Sequence, residues 1–111
     1  MEIHEQRKGA VTVLMPDGPL IGDDADTFRE RAIMIFGRSL GRVVVDASKL
    51  AFVDSKGIEA LVDVNEHISQ SGQALKLCNT NKTICEVLSL TEMTSLFEQY
   101  EDVNTAVRSF L

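Results

Sequence analysis

Residues 43–62, VVVDASKLAFVDSKGIEALV, contain a change of hydrophobic period that decides the fold. Val43, Val44 and Val45 are an unbroken β-branched run, the pattern of a strand covered on both faces, and they predict a strand over 42–46. Residues 47–53, ASKLAFV, read as a loop ending in a short apolar piece. From Ser55 the period becomes helical. Ile58, Leu61, Val62 and Ile68 share one face, while Glu59, Asp63, Glu66 and Gln70 line the opposite stripe. The pattern predicts a helix over 55–71 with Gly72 as its C-cap.

The flanks repeat this alternation. VTVLM (11–15) alternates as a strand does, and EIHEQRK (2–8) is a weaker strand joined to it through Gly9-Ala10. PDGPLIG (16–22) is rich in turn formers. Asp23 and Asp24 then open a helical pattern carrying Ala25, Phe28, Ala32, Ile35 and Phe36, with Gly37 and Gly41 bracketing its exit. ALKLC (74–78) reads as a strand, 80–90 as a helix through Ile84, Val87 and Leu88, and SLFEQY (95–100) as a brief strand. Val103, Ala106, Val107 and Phe110 form a last helical face capped by Asp102. Strands and helices in this order define one α/β domain over 1–111 with a partly parallel sheet.

Composition narrows the function. A chain of 111 residues that is 44% hydrophobic builds one core without staples. A net charge of −6 and the lack of a basic stripe argue against nucleic-acid binding. No apolar run has the length of a membrane span, and MEIHEQRKGA (1–10) lacks the apolar core of a secretion signal, so a cytoplasmic protein with no membrane partner is expected. Cys78 and Cys85 have neither redox-motif nor disulfide spacing and read as reduced structural thiols. His4 and His67 belong to no ligand spacing, so no metal or cofactor is expected.

Ser55, between Asp54 and Lys56, admits three roles. Either Asp54 or Ser55 suits a helix N-cap. A nucleophile elbow needs glycine two residues to each side, but Val53 occupies one of these places, and His67 lies three turns along the same helix. An enzyme is therefore not expected. The third role is a phosphate acceptor, favoured by the positive end of a helix. Gly57 costs on the order of 1 kcal/mol against alanine in a helix, and it permits close approach by another chain.

At these residues the chain resembles the STAS domain, the fold of anti-sigma-factor antagonists. VVVDASKLAFVDSKGIEALV is similar to the family's strand, "D-x-S/T-x-L/V-x-F-x-D-S-S/A-G-L/I", and helix. GPLIGDDADTF (18–28) is similar to "G-x-L-D-x-x-x-A-x-x-L", and residues 80–107 resemble the closing helix, short strand and last helix. The resemblance implies a small mixed sheet of about four to five strands, with about four helices packed mainly on one side. It also implies a switch without catalytic activity. A serine kinase of the histidine-kinase-like ATPase type would phosphorylate Ser55, and a metal-dependent serine phosphatase would reverse the modification. Asp54 would orient the serine and Gly57 would permit approach. Lys56, Ile58, Glu59 and Asp63 would contribute to the partner surface.

Three positions depart from the pattern: Lys56 replaces a small residue, Ile21 a partner-contacting aspartate, and Glu92 a glycine that closes the third helix. The Glu92 departure predicts a turn built differently. Two alternatives stand beside the switch. One is a STAS module that scaffolds or binds a ligand with Ser55 unmodified. The other is a receiver domain phosphorylated on Asp46, with Asp23-Asp24 as its acidic pair.

Overall fold

In a computed structural model describing residues 1–111, the valine run lies at the middle of a six-stranded mixed sheet. The elements in chain order are β1 (Glu2–Lys8), β2 (Val11–Leu20), α1 (Asp23–Arg38), β3 (Val43–Asp46), β4 (Leu50–Val53) and α2 (Ser55–Ser69). They continue with β5 (Lys76–Cys78), α3 (Lys82–Leu90), a 3-10 turn (Thr94–Leu96), β6 (Glu98–Tyr100) and α4 (Val103–Arg108). The strand order is β1-β2-β3-β5-β6, with β4 beside the far end of β2. Only the β1–β2 pair is antiparallel.

Both faces of β3 are covered, as its sequence requires. Val43 and Val45 join Leu14, Leu77 and the apolar faces of α1, α2 and α3 in the larger core. Val44 turns the other way, to Val11, Val13, Cys78 and Ala106 of α4. Three helices therefore share one side of the sheet and α4 alone covers the other, in line with the layering expected.

Two segments differ from their local pattern. Residues 16–20 are not a turn but the second half of a ten-residue β2. Pairing with β1 holds Pro16 and Asp17 extended, and the Gly18 N–H donates to Lys49 O at 2.9 Å. Gly18, at φ 109°, marks the irregularity through which β2 passes to its pairing with β4. Residues 50–53 are likewise a strand rather than a loop, held by that pairing, and they bring the sheet to six strands. Helix α2 ends at Ser69 with Gln70 as its cap, and Gly72 serves the turn beyond it at φ 83°.

Lys76 is the buried cation of the α4 side. Its Nζ donates to Glu98 Oε1 at 2.8 Å and to Tyr100 Oη at 3.3 Å, and it lies 4.6 Å from the Phe110 ring centroid. Burial pushes the ammonium down, but the bonds to Glu98 and Tyr100 outweigh it and hold the group above its ordinary 10.5. The network ties β5, β6 and the C-terminal segment together.

The turn after α3 takes the geometry a glycine would give, contrary to the expectation for Glu92. Glu92 sits at φ 59°. The Met93 N–H donates to Leu88 O at 2.8 Å and the Glu92 N–H to Ser89 O at 3.1 Å, the paired bonds of a Schellman motif. Met93 packs on the core and holds glutamate in a left-handed conformation that costs about 1–2 kcal/mol in L-residues. Glu92→Gly relieves this at the expense of a more flexible unfolded chain. It should raise the stability read from urea midpoints by about 0.5–1 kcal/mol. A loss of stability would show that the Glu92 side chain supports the turn.

Candidate functional site

Ser55 is the first residue of α2, where β4 delivers the chain to the edge of the sheet. The adjacent Asp54 is the N-cap, in extended conformation. Its Oδ1 accepts from Gly57 N–H at 2.8 Å, and its Oδ2 accepts from Gly22 N–H at 3.2 Å. One carboxylate therefore holds the first turn of α2 and the residue that precedes α1, a helix with no side-chain cap of its own. The Gly57 bond is the chief reason the Asp54 carboxyl sits below its ordinary 3.8. Partial desolvation opposes the shift, and the Gly22 and Lys56 amides reinforce it.

The ambiguity between Asp54 and Ser55 as cap is thereby resolved. Asp54 performs the structural task, and Ser55 is left exposed at the helix head with no hydrogen-bond partner for its hydroxyl in the protein. Helix α2 carries no acidic residue in its first turn, so the Asp54 cap carboxylate faces the positive end of its dipole without help from the helix itself.

Gly57 is buried, and the chain that approaches it is the protein's own β2. A methyl group there would fall inside the van der Waals envelope of the Leu20 carbonyl oxygen and lie 3.1 Å from Val53 Cβ. The access expected for a partner is therefore taken up by the crossing of α2 over β2. Lys56 and Glu59 are exposed, and Ile58 is half-buried against the core. Asp63 is not a free member of the acidic stripe. Its Oδ2 accepts from Arg29 Nη1 of α1 at 3.4 Å, and Arg29 also lies 3.3 Å from Asp26. Glu66 and Gln70 remain exposed.

Three contributors escaped the sequence reading: Gly22 as the second amide on Asp54, Arg29 as the partner of Asp63, and Phe52 as an exposed aromatic residue. Phe52 and Ile21 lie on the two segments that meet at Asp54, and they expose 44% and 38% of their surface.

Burial pushes the Cys78 thiol up to about 12, so it is protonated at neutral pH, whereas Cys85 is exposed rather than structural. Asp46, at the end of β3, accepts from the Ser48 amide in its own loop and from Asn79 Nδ2 beyond β5. His67 is exposed and stacks edge-on against Phe36. No helix is long and apolar enough to cross a membrane.

Comparison with known proteins accords with this geometry. The family model of the STAS domain matches residues 2–106, and the chain belongs to that family. Membership sets aside the receiver-domain alternative. A Thermotoga maritima protein described as an anti-sigma factor antagonist is 26% identical over 98 residues, 87% of each chain. The crystal structure of an anti-sigma factor antagonist from the same organism superposes with a TM-score of 0.87 at 22% identity, covering 96% of this chain and 92% of that one. The anti-sigma factor antagonist SpoIIAA in its unphosphorylated form gives a TM-score of 0.77 at 13% identity, over 98% and 96% of the two chains. The mixed sheet with four helices is thus the STAS fold.

The crossing at Gly57 generates a test in which two glycines part company. Gly57→Ala should destabilise the domain by at least about 2 kcal/mol, because the Leu20 carbonyl is backbone and cannot step aside. Gly37→Ala, late in α1 with nothing near its added methyl, should stabilise by up to about 1 kcal/mol. Urea melts of both variants check the pair. Equal and small effects would place the α2–β2 approach at a greater distance than described.

Proposed function

We propose that the protein is a phosphorylation-controlled binding module of a partner-switching pathway, an anti-sigma-factor antagonist in type. The carrying observation is the division of labour at the head of α2. Asp54 makes the cap, so Ser55 is free to be modified without loss of the fold. In this reading a histidine-kinase-like ATPase phosphorylates Ser55, and a metal-dependent serine phosphatase restores the hydroxyl. The protein itself performs no catalysis. SpoIIAA, which shares the fold, has been solved in a phosphorylated form as well, and the reading carries that property over to this chain.

The partner surface comprises Ser55, Lys56, Ile58 and Glu59 of α2, with Asp63 through its pairing with Arg29 and the exposed Ile21 and Phe52 as apolar contributors. A phosphate at Ser55 adds about −1.5 to −2 charges next to the ionised Asp54. Free in solution, the helix end and water tolerate that charge. Against a closely fitted apolar partner the same charge must be desolvated, and an unpaired buried charge costs several kcal/mol. Affinity therefore falls while the fold persists.

Two replacements of the serine test this. Ser55→Ala should change stability by no more than about 0.5 kcal/mol and should bind the partner kinase as the unmodified protein does. Ser55→Asp should also remain folded but bind about a hundredfold more weakly, equivalent to about 2.8 kcal/mol. Titration calorimetry gives the affinities and circular dichroism melts give the folding control. Equal affinities in two folded variants, or phosphopeptide mapping that places the phosphate elsewhere, would remove Ser55 from the switch.

A further inference from the structure

On the α4 side of the sheet, away from the Ser55 surface, the β1–β2 hairpin gathers three side chains whose separate positions in the chain suggest nothing. Glu2 and Asp17 are directly opposed across the ladder, and His4 is two residues along from Glu2 on the same strand face. His4 Nε2 lies 3.7 Å from Glu2 Oε2 and 3.6 Å from Asp17 Oδ2, and the three donor atoms all fall within 4.8 Å of one another. Two carboxylates directly opposed on antiparallel strands repel each other. A cation between them turns that repulsion into attraction.

We propose that Glu2, His4 and Asp17 form a binding site for a divalent transition-metal ion of the zinc type. The donor set carries the choice of metal. An imidazole nitrogen with two carboxylate oxygens suits zinc and its neighbours, whereas calcium and magnesium take oxygen ligands. Size agrees for the two pairs that His4 makes. Zinc bonds of about 2.0–2.1 Å place tetrahedral donors about 3.3–3.4 Å apart. The two distances from His4 exceed this by a few tenths of an ångström, within reach of small rotations of exposed side chains.

The scaffold is firm. Seven consecutive residue pairs fix the hairpin register, so the ligands are preorganised by backbone rather than by a flexible loop. Glu2 and His4 are exposed and Asp17 is half-buried, so solvent reaches the donor atoms and can supply a fourth ligand. The ion would clip the edge strand β1 to β2, independently of the serine switch.

The test is titration calorimetry of the untagged chain with zinc chloride in a non-chelating buffer, with thermal melts in parallel. One ion should bind per chain and raise the melting temperature. His4→Ala and Asp17→Asn should each weaken binding about tenfold or more, at least the loss seen when second-shell supports of a metal site are removed. Cys85→Ser should leave binding unchanged, and calcium and magnesium should neither bind nor raise the melting temperature. All of the replaced side chains are exposed or half-exposed, and circular dichroism confirms the fold of each variant. The absence of saturable zinc binding, binding that survives His4→Ala in the folded variant, or binding lost in Cys85→Ser would each overturn the proposal.

Discussion

The approach of the Leu20 carbonyl to Gly57 is the contact on which the rest of this structure turns. It brings the last residue of β2 under the first turn of α2 at a separation that only a residue without a side chain permits. Asp54 then locks the approach. Its backbone N–H donates to Leu20 O at 3.4 Å, and its carboxylate takes the Gly57 and Gly22 amides. The paths into α1 and α2 are thereby joined at one residue, and the edge of the sheet, the two helix heads and the loop between them form one unit. Without this lock, Ser55 would sit on a fraying helix end rather than at a defined place on the surface.

That rigidity gives the proposed switch its economy. A modification at Ser55 meets a helix end that is already capped and a core that is already closed, so its energy goes into the interface and not into unfolding. The two layers of the fold are separable in the same sense. Helices α1, α2 and α3 share the larger core beneath the serine surface. The smaller core under α4 carries the Lys76–Glu98–Tyr100 network and, further along the sheet face, the Glu2–His4–Asp17 cluster. A ligand on that second face would act on the edge strand without passing through α2.

Much of this was legible in the chain, for physical reasons that differ by element. The valine run of β3 and the stripes of α2 were readable because burial on two faces and burial on one face leave different periods in the sequence. Residues 16–20 were not, because proline and glycine signal a turn locally while pairing on both sides of β2 keeps the segment extended. Gly57 announced a close approach, but its neighbour, Leu20, comes from a distant strand. Asp63 read as a free acid because Arg29 reaches it only once α1 packs against α2. Likewise His4 had no ligand spacing in the chain, since hairpin register is what brings Asp17 beside it. In each case the missing information was a tertiary partner, and the residue type itself had been a fair clue.

The claim that Asp54 bears the structure and leaves Ser55 free is tested most directly by amide hydrogen exchange followed by NMR. Gly22 and Gly57 are the amides to watch, with Val44 and Leu77 in the sheet as references. In Asp54→Ala, protection at Gly22 and Gly57 should fall together and by more than at the two references; in Ser55→Ala all four should keep the protection of the parent protein. If Gly22 and Gly57 in Asp54→Ala lose no more protection than the sheet, or if Ser55→Ala exposes them as Asp54→Ala does, the serine is part of the cap and the account is contradicted.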